Sequence, residues 1–338
     1  MKRGFAVAAL VVAMMTFGVG VYHAAGYLRA GLPRVQRPNQ VSGPSLPGTV
    51  YVTQAGAIYR YRHGSFTQIT AEAGWMQPAA APNGNQLIAV KRQTNYSDLY
   101  LLERTGRGMV QLTHDRSSTV EANHWAFYPR FSPDGSHFFY DFDPKDPYNS
   151  YRVDLAVYAS PADPASDRST QWSYPNQYTG GDVNPVPLSA GGLIYTKFSI
   201  DDQSIVHSQI WYQARAGSAG VPLTDAAADC LQAAISPNEA FLAFVCTNGD
   251  SQTARLVVSS FYRATLSLGP PTMLANGRLV ASPTFSPDGR TIAYLAPATA
   301  GGGFQLWTVP ATQSTAAAPK EITSDLALDA SSAPVWLP

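Results

Sequence analysis

The hydrophobic and polar positions of this chain fall into three regimes. From Phe5 to Tyr22 the sequence is a nearly unbroken apolar run of about 18 residues, preceded by Lys2 and Arg3 and first broken at His23. At roughly 1.5 Å per residue, a helix of that length just spans a hydrocarbon core of about 30 Å. The run predicts a single N-terminal membrane helix within residues 1–30, an uncleaved signal anchor; the alternative is a signal peptide whose cleavage leaves a secreted or periplasmic protein. Residues 31–47, GLPRVQRPNQVSGPSLP, hold four prolines, no acidic residue and no apolar period. That predicts a stiff, extended spacer. From 48 to 338 the pattern changes to short apolar or alternating runs punctuated by Gly, Pro, Asn, Asp and Ser, the signature of strands joined by turns.

One hairpin recurs through this third regime: PAAAPNGNQLIAV from Pro78, PRFSPDGSHFFYDF from Pro129, PVPLSAGGLIYTK from Pro185, AAISPNEAFLAFV from Ala233 and PTFSPDGRTIAYL from Pro283. A sixth start, PVWLP from Pro334, ends with the sequence, and the six starts lie 51, 56, 48, 50 and 51 residues apart. In FSPDG the proline fixes φ, the aspartate closes the turn with its side chain and the glycine supplies positive φ. Each hairpin is followed by two further strand patterns, such as DLYLLE (98–103) and GMVQLT (108–113), and several fourth strands end alike, as QIT, QLT, PLT and EIT. The last unit has its first strand only, while TVYV (49–52), AIYRYR (57–62) and SFTQIT (65–70) stand without a first strand ahead of the repeats. The expected fold is all-β: a six-bladed β-propeller over 48–338, its ring closed by pairing one C-terminal strand with three N-terminal ones, behind the single N-terminal helix.

These repeats resemble the TolB-like propellers, whose unit looks like P-x-[FW]-S-P-D-G-x-x-[IL]-A-[YF] followed by a strand pair ending in L-T. The resemblance covers roughly 48–338, is strongest at 129–142 and 283–295, and is weakest in the third unit, where SAGG replaces SPDG. Nothing here corresponds to the smaller α/β domain that precedes the propeller in the family member giving the name. The resemblance implies an extracytoplasmic binding scaffold and supplies no catalytic residues.

Composition narrows the function classes. Lys plus Arg equals Asp plus Glu at 23 each, so no net field draws the molecule to nucleic acid. Five of the basic residues and none of the acidic ones precede Gly48, which leaves the propeller a net charge of about −5. No G-x-S-x-G elbow, H-E-x-x-H helix or phosphate loop is present, and the six histidines are scattered. No catalytic residue, no cofactor and no metal is expected: Asp141, Asp143 and Asp146 lie close in sequence, but their spacing matches no EF-hand loop.

Four readings concern particular side chains. Cys230 and Cys246 flank the fourth hairpin, equidistant from Asn238. In a symmetric, unbulged hairpin they face each other and form a disulfide, which an oxidising compartment permits. His124 and Trp125 fall in the connection entering blade 2, and DFDPKDPYNS (141–150), with Asp141, Asp143 and Tyr148, forms a long loop that shares their face. Trp75 is expected on the loop side as well. Trp75, His124, Trp125, Asp141, Asp143 and Tyr148 are therefore the candidate partner-binding residues, since loops positioned by a rigid scaffold carry binding. The expected function is a membrane-tethered, extracytoplasmic binding or scaffold module for a protein or envelope polymer. The alternative is a propeller hydrolase or lyase with a divalent metal near the channel mouth.

Overall fold

The computed structural model describes residues 42–71, 73–145, 154–166, 168–175, 179–249, 253–311 and 318–338. The predicted membrane helix, most of the spacer and Tyr148 lie outside them. All the described residues belong to the unit Arg37–Pro338, and they are all-β apart from a 3-10 turn at Ala226–Ala228.

Strands β1 (Thr49–Gln54), β2 (Ala57–Arg62) and β3 (Ser65–Gln68) come first. Blade 1 follows as β4 (Trp75–Ala80), β5 (Gln86–Arg92), β6 (Ser97–Glu103) and β7 (Val110–Gln111). Blade 2 is β8 (Ala126–Phe131), β9 (His137–Phe142), β10 (Ala156–Pro161) and β11 (Thr170–Gln171); blade 3 is β12 (Asp182–Pro187), β13 (Leu193–Ile200), β14 (Val206–Gln213) and β15 (Gly220–Pro222). Blade 4 has β16 (Cys230–Ile235), β17 (Phe241–Cys246), β18 (Ala254–Tyr262) and β19 (Ser267–Leu268), with an additional strand, β20 (Thr272–Arg278), also paired to β18. Blade 5 comprises β21 (Ala281–Phe285), β22 (Thr291–Pro297), β23 (Phe304–Pro310) and β24 (Lys320–Glu321). Finally β25 (Val335–Leu337) pairs antiparallel with β1, with Tyr51 opposite Val335, to give a sixth sheet in the order β25-β1-β2-β3.

Several second and third strands read as near-continuous apolar runs because both of their faces are covered. In β5, Leu87, Ile88, Ala89 and Val90 are all fully buried. Six hydrophobic clusters among the described residues each combine two neighbouring sheets. Tyr51 and Ile58 of the sixth sheet pack with Trp75 and Leu87 of blade 1, while Val50 and Tyr59 pack with Leu295 and Leu306 of blade 5. The fourth strands, outermost in each sheet, are short and partly polar, which suits an exposed edge.

The two repeated motifs now have physical roles. In SPDG the Ser132 hydroxyl donates to Asp134, whose Oδ1 also accepts the Ser136 N–H, and Gly135 takes φ +72°. These donors hold the exposed Asp134 carboxyl down at about 2. Ser286 and Asp288 repeat the arrangement, as do Ser236 and Asn238, where Glu239 occupies the positive-φ position at +54°. In the L-T ending the hydroxyl accepts a backbone N–H of the third strand: Thr70 from Ile58, Thr113 from Leu99, Thr224 from Ile210 and Thr323 from Leu306, with Ser173 serving Val157 in the same way.

A third regularity is a break in the innermost strands. Register slips between Met76 and Ala79, Phe127 and Arg130, Val183 and Val186, Leu231 and Ala234, and Ala281 and Thr284. At each break a non-glycine residue has positive φ: Gln77, Tyr128, Asn184, Gln232 and Ser282, between +48° and +58°. Four of the five immediately precede the proline that opens a repeat. Proline is tolerated there because an inner edge strand need not donate toward the axis.

Candidate functional site

The five bulges surround the axis, and each bulge N–H is capped by a side chain of the preceding blade. Ser332 Oγ accepts from Gln77, Gln77 Oε1 from Tyr128, Asp141 Oδ2 from Asn184, Thr196 Oγ1 from Gln232 and Gln232 Oε1 from Ser282, at 2.8 to 3.2 Å. A bulge turns its N–H out of the ladder, and a buried unpaired N–H costs about 1–3 kcal/mol. The caps remove that cost and tie successive blades together. They leave a channel with about 20 Å³ of free space, lined by residues that include Tyr128, Arg130, Asn184 and Gln232. That is room for about one water molecule.

Asp141 therefore lies within β9 and caps a channel-lining bulge from behind. Its side chain is fully buried, Oδ2 serves Asn184, and Oδ1 has no partner. Burial raises its carboxyl well above the ordinary range, opposed by the Asn184 N–H and reinforced by the charge of Asp182. Burial likewise raises Asp182, whose Oδ1 lies 3.0 Å from Lys197 Nζ. Burial also depresses the Arg130 guanidinium, against the raising influence of Asp141.

Asp143, two residues on, belongs elsewhere: its Oδ2 pairs with Lys145 Nζ at 2.7 Å and its N–H donates to Trp125 O. The structure thus separates Asp141 from Asp143 instead of joining them in one loop, because β9 ends between them and the chain turns toward blade 1. Among the described residues no group of three or more His, Cys, Asp and Glu is placed to hold a metal ion.

Around Asp143 three of the candidate residues do meet. The His124 ring stacks on Phe142 at 5.0 Å and its Nδ1 is 2.7 Å from Asp143 O. Trp125 is half-buried, stacked on Phe127 at 5.8 Å with the Arg92 guanidinium 5.8 Å from its ring. Beneath them the His124 N–H donates to Asp115 O, and Thr113 Oγ1 donates to Asp115 Oδ2 at 2.9 Å. Burial, followed by the charges of Asp98 and Asp143 against the Thr113 bond, pushes the Asp115 carboxyl up to about 7.

Trp75 does not join this group. It is the first residue of β4, 4% exposed, edge-on to Tyr100 and covered by Lys91 Nζ at 4.9 Å. Its expected place on a loop is corrected: the strand begins one residue after Gly74, and the indole fills the interface with the sixth sheet.

Cys230 and Cys246 form a disulfide with Cα atoms 4.1 Å apart. The hairpin between them is not the regular one expected. Its turn centres between Asn238 and Glu239, half a residue late, and the bulge after Leu231 adds one residue to β16. The two offsets cancel, and the cysteines face each other as a non-hydrogen-bonded pair, the closer kind.

Sequence reasoning missed Gln77, Tyr128, Asn184, Gln232, Ser282 and Arg130. Their signal was positional: five flank the start of a repeat, and Arg130 follows the opening proline of the second.

This architecture is that of a TolB-like six-bladed β-propeller. The crystal structure of TolB from Acinetobacter baumannii superposes with a TM-score of 0.66 at 15% identity, covering 86% of this chain and 66% of that one, so the chain spans just under two thirds of that protein's length. The structure of putative TolB from Agrobacterium tumefaciens gives 0.53 at 17% identity over 71% of this chain and 82% of that one. A chain of the nidogen/laminin complex gives 0.58 at 10% identity over 85% and 97%. No family model and no curated protein matches the sequence.

Proposed function

We propose that this chain is a membrane-tethered, extracytoplasmic propeller that binds a protein partner on the face carrying the interblade connections. The observation that carries the reading is the half-buried Trp125, held between Phe127 and Arg92 and accepting the Asp143 N–H just beyond the end of β9. A rigid aromatic with an adjacent guanidinium is the composition of an interface hot spot. The Cys230–Cys246 disulfide supports an oxidising compartment, and the apolar run from Phe5 to Tyr22 supports the tether. The β25 pairing with β1 supports closure of the ring by one C-terminal and three N-terminal strands. A chain of similar fold that sits in a two-protein complex, nidogen with laminin, supports a protein as the partner class.

Two measurements test this. Protease applied to spheroplasts should degrade the propeller while the thiols stay blocked until reduction; protection with two free thiols would reverse the orientation. Crosslinked membranes should yield a protein adduct that Trp125→Ala and Arg92→Ala both reduce. Equal capture by both variants would remove this face from the reading.

A further inference from the structure

The channel opens on the opposite face, among the SPDG-type turns, into a pocket of about 240 Å³. Its walls are the ends of innermost strands: Ala79 to Pro82, Phe131, Thr284 and Pro334 to Leu337. Their side chains are apolar apart from Thr284, although the surface exposed to the pocket is mostly polar. One charged side chain, Arg130, lines both this pocket and the channel behind it.

The Arg130 guanidinium is unspent. It has five N–H donors, yet none has a hydrogen-bond or ion-pair partner among the described residues, and the charge that acts on it is that of Asp141. Asp141 is a poor counterion, since Oδ2 is committed to the Asn184 N–H and the carboxyl is buried where its neutral form is favoured. In the fold's interior a cation is normally paired, because removing it from water without a partner is costly. Here the cation lines a pocket that opens to solvent.

We infer that the turn-face mouth of the channel is a binding site for the carboxylate of a small organic acid or of a peptide end, with Arg130 as its anion receptor. A planar carboxylate matches the guanidinium fork. Phosphate fits less well, because the lining provides a single cation and one hydroxyl. The volume lies just below the usual range of about 300–1,000 Å³ for ligand pockets, which limits the guest to a small aromatic or short-chain acid, or to the last residue of a peptide. This site is independent of the face proposed above for a protein partner.

The test is titration of the folded protein with 4-phenylbutyrate, its primary amide, and a short peptide ending in Phe with a free or an amidated C-terminus, followed by calorimetry or by NMR shifts. The acid should bind and the amide should bind at least about tenfold more weakly, since the charge-assisted bonds are the difference. Arg130→Gln should weaken the acid by a similar factor while Arg130→Lys retains part of it, with unchanged melting as the check on folding. Binding by both the small acid and the free-ended peptide, or by either alone, supports the site and identifies the source of the carboxylate. Equal binding of acid and amide to the unaltered protein overturns the inference without any variant, as does failure of every free carboxylate to bind.

Discussion

The Tyr128 N–H donates to Gln77 Oε1 at 2.8 Å although 51 residues and a blade boundary separate them. Gln77 is itself held by Ser332 Oγ through its own N–H, and Gln232 repeats the pattern between Thr196 and Ser282. These relays convert a local defect, the bulge, into a link between blades.

Removing one relay should therefore cost more than its surface suggests. Gln77→Ala leaves the Tyr128 N–H without its cap, and the expected loss is about 1–3 kcal/mol, read from urea unfolding. Gln232→Ala should behave alike through Ser282. Exposed Gln86→Ala, at the start of β5, serves as the control and should change stability little.

Asp115 should make stability fall as pH rises through the weakly acidic range. Its carboxyl ionises near 7 in the fold and at about 3.9 in an unfolded chain. Between those values the native state binds the extra proton, so the contribution is whole below about pH 4, declines as pH rises, and is gone above about 7. At about 1.4 kcal/mol per unit the effect is at most about 4 kcal/mol. Asp115→Asn should flatten that slope and gain on the parent at pH 8, measured by denaturation across pH.

The Cys230–Cys246 bridge closes a separation of 16 residues. A loop of that size corresponds to about 3 kcal/mol in the chain-entropy account. The double variant Cys230→Ser, Cys246→Ser should melt several degrees lower while keeping its β circular dichroism. In the parent, thiol reagents should label neither cysteine until the protein is reduced.

Deleting residues 333–338 removes β25, and with it buried Val335 and Trp336 and the bond from Trp336 Nε1 to Pro47 O. The loss exposes an edge of β1 and opens the contact with blade 5. The expected outcome is a ring-wide fall in melting temperature with a lower unfolding midpoint for distant blades. An unchanged midpoint would argue against a closing role for that strand.

Much of the architecture was legible because it is written locally and repeatedly. The SPDG turns specify themselves through bonds within five residues, as between Ser132, Asp134 and His137. Doubly buried strands such as LIAV at 87–90 need continuous apolar side chains whatever blade they occupy. The disulfide was legible in its pairing but not in its geometry, since a late turn and a bulge, neither visible in the even spacing about Asn238, cancel to give that pairing. Trp75 and Asp141 were misplaced for one reason: a residue at a strand end can face a loop, a neighbouring blade or the axis, and sequence spacing does not distinguish them.

The chain by itself determined the number of blades, their order and their turns, because each depends on residues a few positions apart. Tertiary structure alone decided what meets at the axis. Bulges rotate Tyr128, Asn184 and Gln232 into the channel and bring each beside a side chain from another blade, and they leave Arg130 at the mouth without a counterion of its own. Those juxtapositions arise from closing six twisted sheets around one line, a geometric condition on the whole ring that no single repeat encodes.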